Sequence, residues 1–176
     1  MGPTMHMKSR SSQVLGALMM ALSALGLVTG VVDGPETLLR FGAPVALFGV
    51  LGWGAFWEPH VEVSDGGVTV ANTLRTVEVP WPAIEGVDGR YGLRLDTAYG
   101  PVDAWAAAAP SGRRRARGQQ SEAAEVVTRR IEELRAAGHL EQPRLERPAP
   151  HVTWHVPLVS ACLGLVIAAL VLPLVA

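Results

Sequence analysis

Three long apolar segments constrain this chain more than any other feature of its sequence. Residues 14–32, 41–57 and 156–176 contain no acidic or basic side chain. A helix rises about 1.5 Å per residue, so about 20 residues cross a hydrocarbon core of about 30 Å. The second segment reaches that length when it is extended back to Leu38, which places Arg40 near its outer end. The sequence therefore predicts three transmembrane helices and excludes a large soluble enzyme.

The apolar segments divide the chain into parts and leave one polar region large enough for a compact domain. The only cysteine, Cys162, lies in the third segment, so an intramolecular disulfide is excluded. The formal net charge of −1 argues against nucleic-acid binding, which requires a basic excess. The predicted parts are a cytoplasmic N-terminus (1–13), a transmembrane helical hairpin (14–57), a soluble domain (58–140), a proline-rich linker (141–155) and a third transmembrane helix (156–176).

The distribution of basic residues predicts how the chain crosses the membrane. Lys8 and Arg10 precede the first apolar segment, and Arg144 and Arg147 precede the third, whereas the connection at residues 33–37 is acidic. Basic residues favour the cytoplasmic side. We therefore expect a multi-pass protein of the inner membrane, with the N-terminus and the soluble domain cytoplasmic and the C-terminus external.

The predicted spans have the composition of packing helices. Gly26 and Gly30 are four residues apart, and such small residues let helix backbones approach each other in lipid. Asp, Glu, Lys and His are absent from the middle of the spans, which disfavours a transporter or a channel. A cleaved signal peptide is the alternative for residues 1–32, but its apolar core would be too long.

The soluble domain begins with an alternating pattern typical of β-strands. Val61 and Val63 alternate with polar residues, Asp65-Gly66-Gly67 is a hairpin signal, and Val68 and Val70 resume the alternation. The pattern continues to Trp105 and predicts six short antiparallel strands. They lie around residues 61–63, 68–70, 77–79, 84–87, 91–95 and 102–105.

The period then changes to that of a helix over residues 121–137. Ser121 is a plausible N-cap and Gly138 a plausible end, and the apolar residues recur at spacings of three and four. A helix of this kind would cover the open end of a bent sheet. We expect an α+β membrane protein in which an antiparallel β-barrel or bent sheet is closed by a C-terminal amphipathic helix. An OB-type barrel is the alternative, but it normally carries its helix between strands.

Several of these segments resemble a known family. The run Pro-Trp-Pro-Ala-Ile-Glu-Gly-Val at 80–87, the strand Tyr-Gly-Leu-Arg-Leu at 91–95 and the closing helix are similar to bacterial pleckstrin-homology (PH) domains of actinobacterial membrane proteins, the low-molecular-weight protein antigen type. The resemblance covers about residues 58–137. It implies a PH-like barrel with an interaction role and supplies no catalytic residues. The third span departs from the family's usual pair.

A dense group of arginines is the strongest local charge feature. Arg113, Arg114, Arg115 and Arg117 stand in a segment rich in Gly and Ser. Near an anionic leaflet, each guanidinium gains about 1 kcal/mol from lipid headgroups. We therefore consider headgroup contact at these residues, with a solvated loop as the alternative. Nucleic acid is disfavoured here too, because the run has no aromatic residue for stacking.

Two tryptophans of the domain have alternative roles. A buried indole contributes a large apolar area to a small core, and we expect this role for Trp105. For Trp81 we also expect a position in the core. If exposed between Pro80 and Pro82, it would instead offer a surface to a protein partner.

The histidines do not form a metal-binding motif in the sequence. His151 and His155 are four apart, which on a helix would suit zinc, but Pro148 and Pro150 oppose a regular helix there. His60 and the later His139 flank the domain without a nucleophile motif nearby. No metal site and no cofactor is expected.

Two acidic residues are candidates for a catalytic pair, but they belong to no catalytic motif. Asp96 and Asp103 are predicted to be neighbours across a hairpin, on a solvated strand face. The sequence as a whole predicts a non-enzymatic, membrane-anchored interaction or scaffolding module with an unidentified membrane or cytoplasmic protein partner. The alternatives are a small accessory subunit that binds a larger membrane complex through its spans, and a membrane-bound enzyme with an unrecognised site.

Overall fold

The computed structural model describes residues 4–107, 112–140 and 148–175. The chain forms two compact units. The sheet unit comprises Met1–Ser9 and Pro59–Trp154, and the helical unit comprises Arg10–Glu58 and His155–Ala176. The helices are α1 (Arg10–Asp33), α2 (Pro35–Gly52), α3 (Gly112–Ala116), α4 (Glu122–Ala136) and α5 (Val156–Val175). The strands are β1 (Met5–Met7), β2 (His60–Val63), β3 (Gly67–Ala71), β4 (Arg75–Pro80), β5 (Ile84–Asp88), β6 (Leu93–Thr97), β7 (Gly100–Ala104) and β8 (His151–Trp154).

The helical unit contains the three predicted spans. By length and composition, α1, the continuous helix Pro35–Trp57 and α5 can each cross a membrane. The second of these helices consists of α2 and a π-helical turn at Trp53–Trp57. Gly34, with φ of 116°, makes the turn between α1 and α2, and Pro35 then begins α2.

Close backbone packing holds α1 against α2. The Ser23 hydroxyl donates a hydrogen bond to the Val45 carbonyl over 2.8 Å. A Cβ at Gly52 would lie 2.6 Å from Met19 Cβ, so only glycine fits there without a shift. A Cβ at Gly26 would lie 3.0 Å from a Val45 methyl. The small residues therefore let the two backbones approach, as their spacing predicts.

The sheet unit contains all six predicted strands, but the predicted barrel is not closed. Strands β2, β3 and β4 belong to a five-stranded antiparallel sheet, and β5, β6 and β7 form a separate three-stranded sheet. The break lies at the 3₁₀ turn Trp81–Ala83. Pro80 and Pro82 have no N–H to donate to a strand ladder, so the chain leaves the first sheet here and starts the second at Ile84.

Two further strands, β1 and β8, were not predicted. They extend the first sheet at both edges, in the order β1-β2-β3-β4-β8. The register places Met5 opposite Val63 and Arg75 opposite Trp154. Strand β1 (Met-His-Met) and strand β8 (His-Val-Thr-Trp) do alternate, but they are only three and four residues long, and all of β8 is exposed. Such short alternations do not stand out as strands in the sequence.

The amphipathic helix α4 covers the core, as predicted. Its residues Ala123, Ala124, Val127 and Ile131 are buried in one cluster with the inward side chains of both sheets. The apolar stripe of the helix therefore joins the two sheets into one hydrophobic core.

Both ends of α4 are capped by the predicted residues. The Ser121 hydroxyl accepts a hydrogen bond from the Ala124 N–H at 3.2 Å and donates one to the Gly92 carbonyl. At the other end Gly138, with φ of 72°, adopts the left-handed conformation. The N–H groups of Gly138 and His139 donate to carbonyls of the last turn, which is the Schellman arrangement. The Ser121 bond to Gly92 also fixes the start of the helix to the chain just before β6.

Candidate interaction surface

The structure places the predicted arginine segment mainly on a short helix. Residues Gly112–Ala116 form α3, where the sequence predicts a loop. The side chains of Arg113 and Arg117 are exposed. Those of Arg114 and Arg115 lie outside the described residues.

Trp81 lies in the core of the sheet unit. Its side chain is 4% exposed, and the indole N–H donates to the Ser64 carbonyl at 3.0 Å. This bond satisfies the one polar group of the ring in the interior. The structure therefore places Trp81 where it stabilises the fold and offers little surface to a partner.

Trp105 lies on the surface, so the prediction that it belongs to the core is wrong. It is 70% exposed. Val102 and Ala104 are buried in the second sheet, and side chains alternate between the two faces of a strand. Trp105 comes directly after β7 and begins the turn in which the Ala107 N–H donates to the Ala104 carbonyl, and its side chain lies on the surface there. The strand period could have placed Trp105 on the surface, but its large apolar area favoured the core.

Asn72 fixes the backbone on either side of Ala104. Its amide nitrogen donates to the Asp103 carbonyl at 2.7 Å, and its amide oxygen accepts from the Trp105 N–H at 2.9 Å. Asn72 stands in the turn between β3 and β4, so these two bonds join the two sheets. They also hold the main chain at Trp105 in one position.

Trp105 borders a cavity of about 290 Å³ together with Trp154. Trp154 is 58% exposed and Leu74 is 50% exposed. The Arg75 guanidinium lies 5.8 Å from the centre of a Trp154 ring, within cation–π range. We call Leu74, Arg75, Trp105 and Trp154 the tryptophan surface. The remaining lining residues are Asn72, Thr73, Pro101 and Asp103.

The tryptophan surface combines large apolar rings with a charged rim. Tryptophan and arginine are enriched among the residues that dominate binding energy at protein interfaces. The rings supply apolar area, and Arg75 and Asp103 supply opposite charges beside it. This arrangement suits binding of an apolar segment with polar flanks.

The two acids that left a catalytic role open are both paired with one arginine. Arg94 Nε lies 3.4 Å from Asp96 and Arg94 Nη1 lies 3.7 Å from Asp103. All three side chains are about half exposed, so they form a solvated ion-pair group of small energetic weight.

The histidine pair near the third span does not have the spacing of a helical metal site. His151 begins β8, and residues 151–154 are extended rather than helical. An extended chain separates side chains four residues apart by about 13 Å. The described residues instead bring His6, His60 and Glu62 together, a group that sequence patterns could not reveal.

The fold defines a small α+β domain of two antiparallel sheets with a capping helix. Residues 58–136 match the family model for the bacterial PH domain, which confirms that part of the predicted resemblance. The match is to under half of the chain, and it begins just before β2 and ends with α4. No curated protein and no solved structure matches the chain. Strands β1 and β8 lie outside the matched residues.

Proposed function

We propose that this chain is a membrane-anchored, non-enzymatic interaction or scaffolding module at the cytoplasmic face of the inner membrane. The match to the bacterial PH domain supports an interaction role, and three helices with the length of membrane spans support the anchoring. The observation that carries the proposal is the tryptophan surface. Its partner is a protein that presents an apolar segment to the cavity between Trp105 and Trp154.

The geometry of the surface favours a specific contact. Asn72 holds the backbone at Trp105, so the main chain there does not have to be ordered when a partner binds. Arg75 and Trp154 face each other in adjacent strands and stack, which also limits their motion. A surface ordered before binding gains affinity because fewer side chains must be immobilised.

The arginine segment belongs to the same proposal as a weaker second contact. Arg113 and Arg117 are exposed, and arginine binds phosphate oxygens bidentately. We propose that Arg113, Arg114, Arg115 and Arg117 contact anionic lipid headgroups, because a tethered domain stays near the leaflet without high affinity of its own. The resemblance to the actinobacterial low-molecular-weight protein antigen type is part of the same proposal.

The strand pairing supports the proposed topology independently of charge. Strand β1 precedes α1, and β2 follows α2, yet the two strands pair. If both helices cross the membrane, the pairing requires an even number of crossings between the strands, and two satisfy it. The basic residues that precede α1 and α5 in the sequence favour the cytoplasm as this common side.

Reporter fusions test the topology. A reporter joined at residue 1 or inserted at residue 110 should be cytoplasmic, and one joined at residue 176 should be external. An external signal at residue 110 would contradict both the topology and the proposed lipid contact. Opposite signals at residues 1 and 110 would contradict the pairing of β1 with β2 in the membrane.

Photo-crosslinking tests the tryptophan surface in the full chain. A photoreactive residue in place of Trp105 should give a discrete protein adduct in native membranes. The matched control is the same residue in place of Tyr91, which is 74% exposed and does not line the cavity. Identical adducts at both positions, or no protein adduct at Trp105, would contradict the proposed partner site.

Photo-crosslinking also distinguishes the proposed interaction module from the alternative, an accessory subunit that binds its partner through the spans. The α5 residues Leu163 and Ile167 are exposed on the helical unit, where they contact lipid or a partner span. A stoichiometric protein adduct at Ile167, without one at Trp105, would assign partner binding to the spans instead of the domain.

A further inference from the structure

Strands β1 and β2 bring two histidines and one glutamate to the same face of the sheet. His6 stands directly opposite Glu62 in the register, and His60 is two residues before Glu62 on the same strand. Since side chains alternate along a strand, His60 and Glu62 share one face. Val61 and Val63 point the other way, into the core. The three polar side chains therefore lie together on the outer face.

The ligand atoms of these residues converge. One nitrogen or oxygen atom from each residue lies within 4.8 Å of the others. His6 Nδ1 is 3.6 Å from Glu62 Oε2, and the two imidazole centres are 6.2 Å apart. Around a tetrahedral zinc ion, ligand atoms stand about 3.3 Å apart. The three groups thus need to close by at most about 1.5 Å, and the His6 side chain is exposed enough to turn.

We propose that His6, His60 and Glu62 bind one divalent transition-metal ion of the zinc type. Two imidazoles and a carboxylate suit Zn²⁺, whereas Mg²⁺ and Ca²⁺ prefer oxygen ligands alone. A fourth position stays open to water or to a further ligand.

The chief competing interpretation is a simple ion pair between His6 and Glu62. That pair would require one histidine and a proton on its ring. It involves only one of the two imidazoles, although the ligand atoms of both rings lie within 4.8 Å of the Glu62 carboxylate. A metal ion uses both neutral rings and the carboxylate together.

Metal binding at this site would fasten the N-terminal strand to the domain. Strand β1 is three residues long and lies at the edge of the sheet, so pairing with β2 is its main connection. An ion shared between His6 and the two β2 residues adds a link across this pairing. The site would thereby couple metal concentration to the order of the segment just before α1.

Calorimetric titration of the full chain tests the proposal. The protein is purified in detergent through a tag that contains no histidine, stripped with EDTA and titrated with Zn²⁺. We expect one saturable site for Zn²⁺ and none for Mg²⁺ under the same conditions. The variants His6→Gln and Glu62→Gln should each weaken Zn²⁺ binding at least about tenfold.

The control is His151→Gln, which removes an exposed histidine at the opposite edge of the same sheet. It should leave Zn²⁺ binding unchanged. Hydrogen exchange gives a second measurement, because Zn²⁺ should slow exchange in residues 5–7 of the parent and not of His6→Gln. The proposal is overturned if Zn²⁺ does not saturate one site, or if His6→Gln binds it as tightly as the parent does.

Discussion

Replacing Ile131 by Asp should uncouple α4 from the sheets. Ile131 is 6% exposed and belongs to the cluster that joins the helix to both sheets. An aspartate there would remove a buried aliphatic side chain and place an unpaired charge in the core. We expect the free energy of unfolding of the sheet unit to fall by about 3–5 kcal/mol.

Hydrogen exchange of the full chain in detergent measures this effect on the sheet unit separately from the spans. Protection of β5 and β6 should fall strongly in Ile131→Asp, because α4 packs on these strands. Glu132→Asp is the matched control, since it introduces the same residue at the adjacent exposed position. Equal protection in the two variants would mean that α4 is not docked.

The elements that the sequence predicted correctly have strong local signals. The six strands alternate, α4 has an apolar stripe between Ser121 and Gly138, and the three apolar segments form helices long enough to cross a membrane. In each case the spacing of apolar residues in the sequence matches the set of residues that lies on the apolar face of the element. Closure of a barrel has no such local signal, because it depends on whether distant strands pair. The proline-containing turn at residues 80–83 prevents continuous pairing there.

The tryptophan surface depends on contacts between residues far apart in the chain. Asn72 reaches Trp105, and Trp154 joins the same cavity through the pairing of β8 with β4. A tryptophan contributes a large apolar area both in a core and at an interface, so its presence in the sequence does not show which of the two positions it takes. The local path of the chain decides the two positions: the turn at 81–83 buries Trp81, and Trp105 is exposed in the turn that follows β7.

The matched substitutions Trp81→Ala and Trp105→Ala should separate stability from binding. Trp81→Ala leaves a large cavity and removes the donor to the Ser64 carbonyl, so we expect a loss of about 3–5 kcal/mol in the free energy of unfolding. Trp105→Ala removes a side chain that is 70% exposed, and the change should stay within about 0.5 kcal/mol.

Trp105→Ala, the variant that keeps its stability, should be the one that loses partner binding directly. Trp105→Ala keeps the backbone N–H that donates to Asn72, so the local main chain is retained while the ring is lost. We therefore expect Trp105→Ala to lose the partner captured in membranes by photo-crosslinking from Leu74, while its hydrogen exchange matches that of the parent. Trp81→Ala should show faster exchange throughout β2, β3 and β4. If Trp105→Ala destabilises the sheet unit as much as Trp81→Ala does, Trp105 packs in the core and the tryptophan surface is not a binding site.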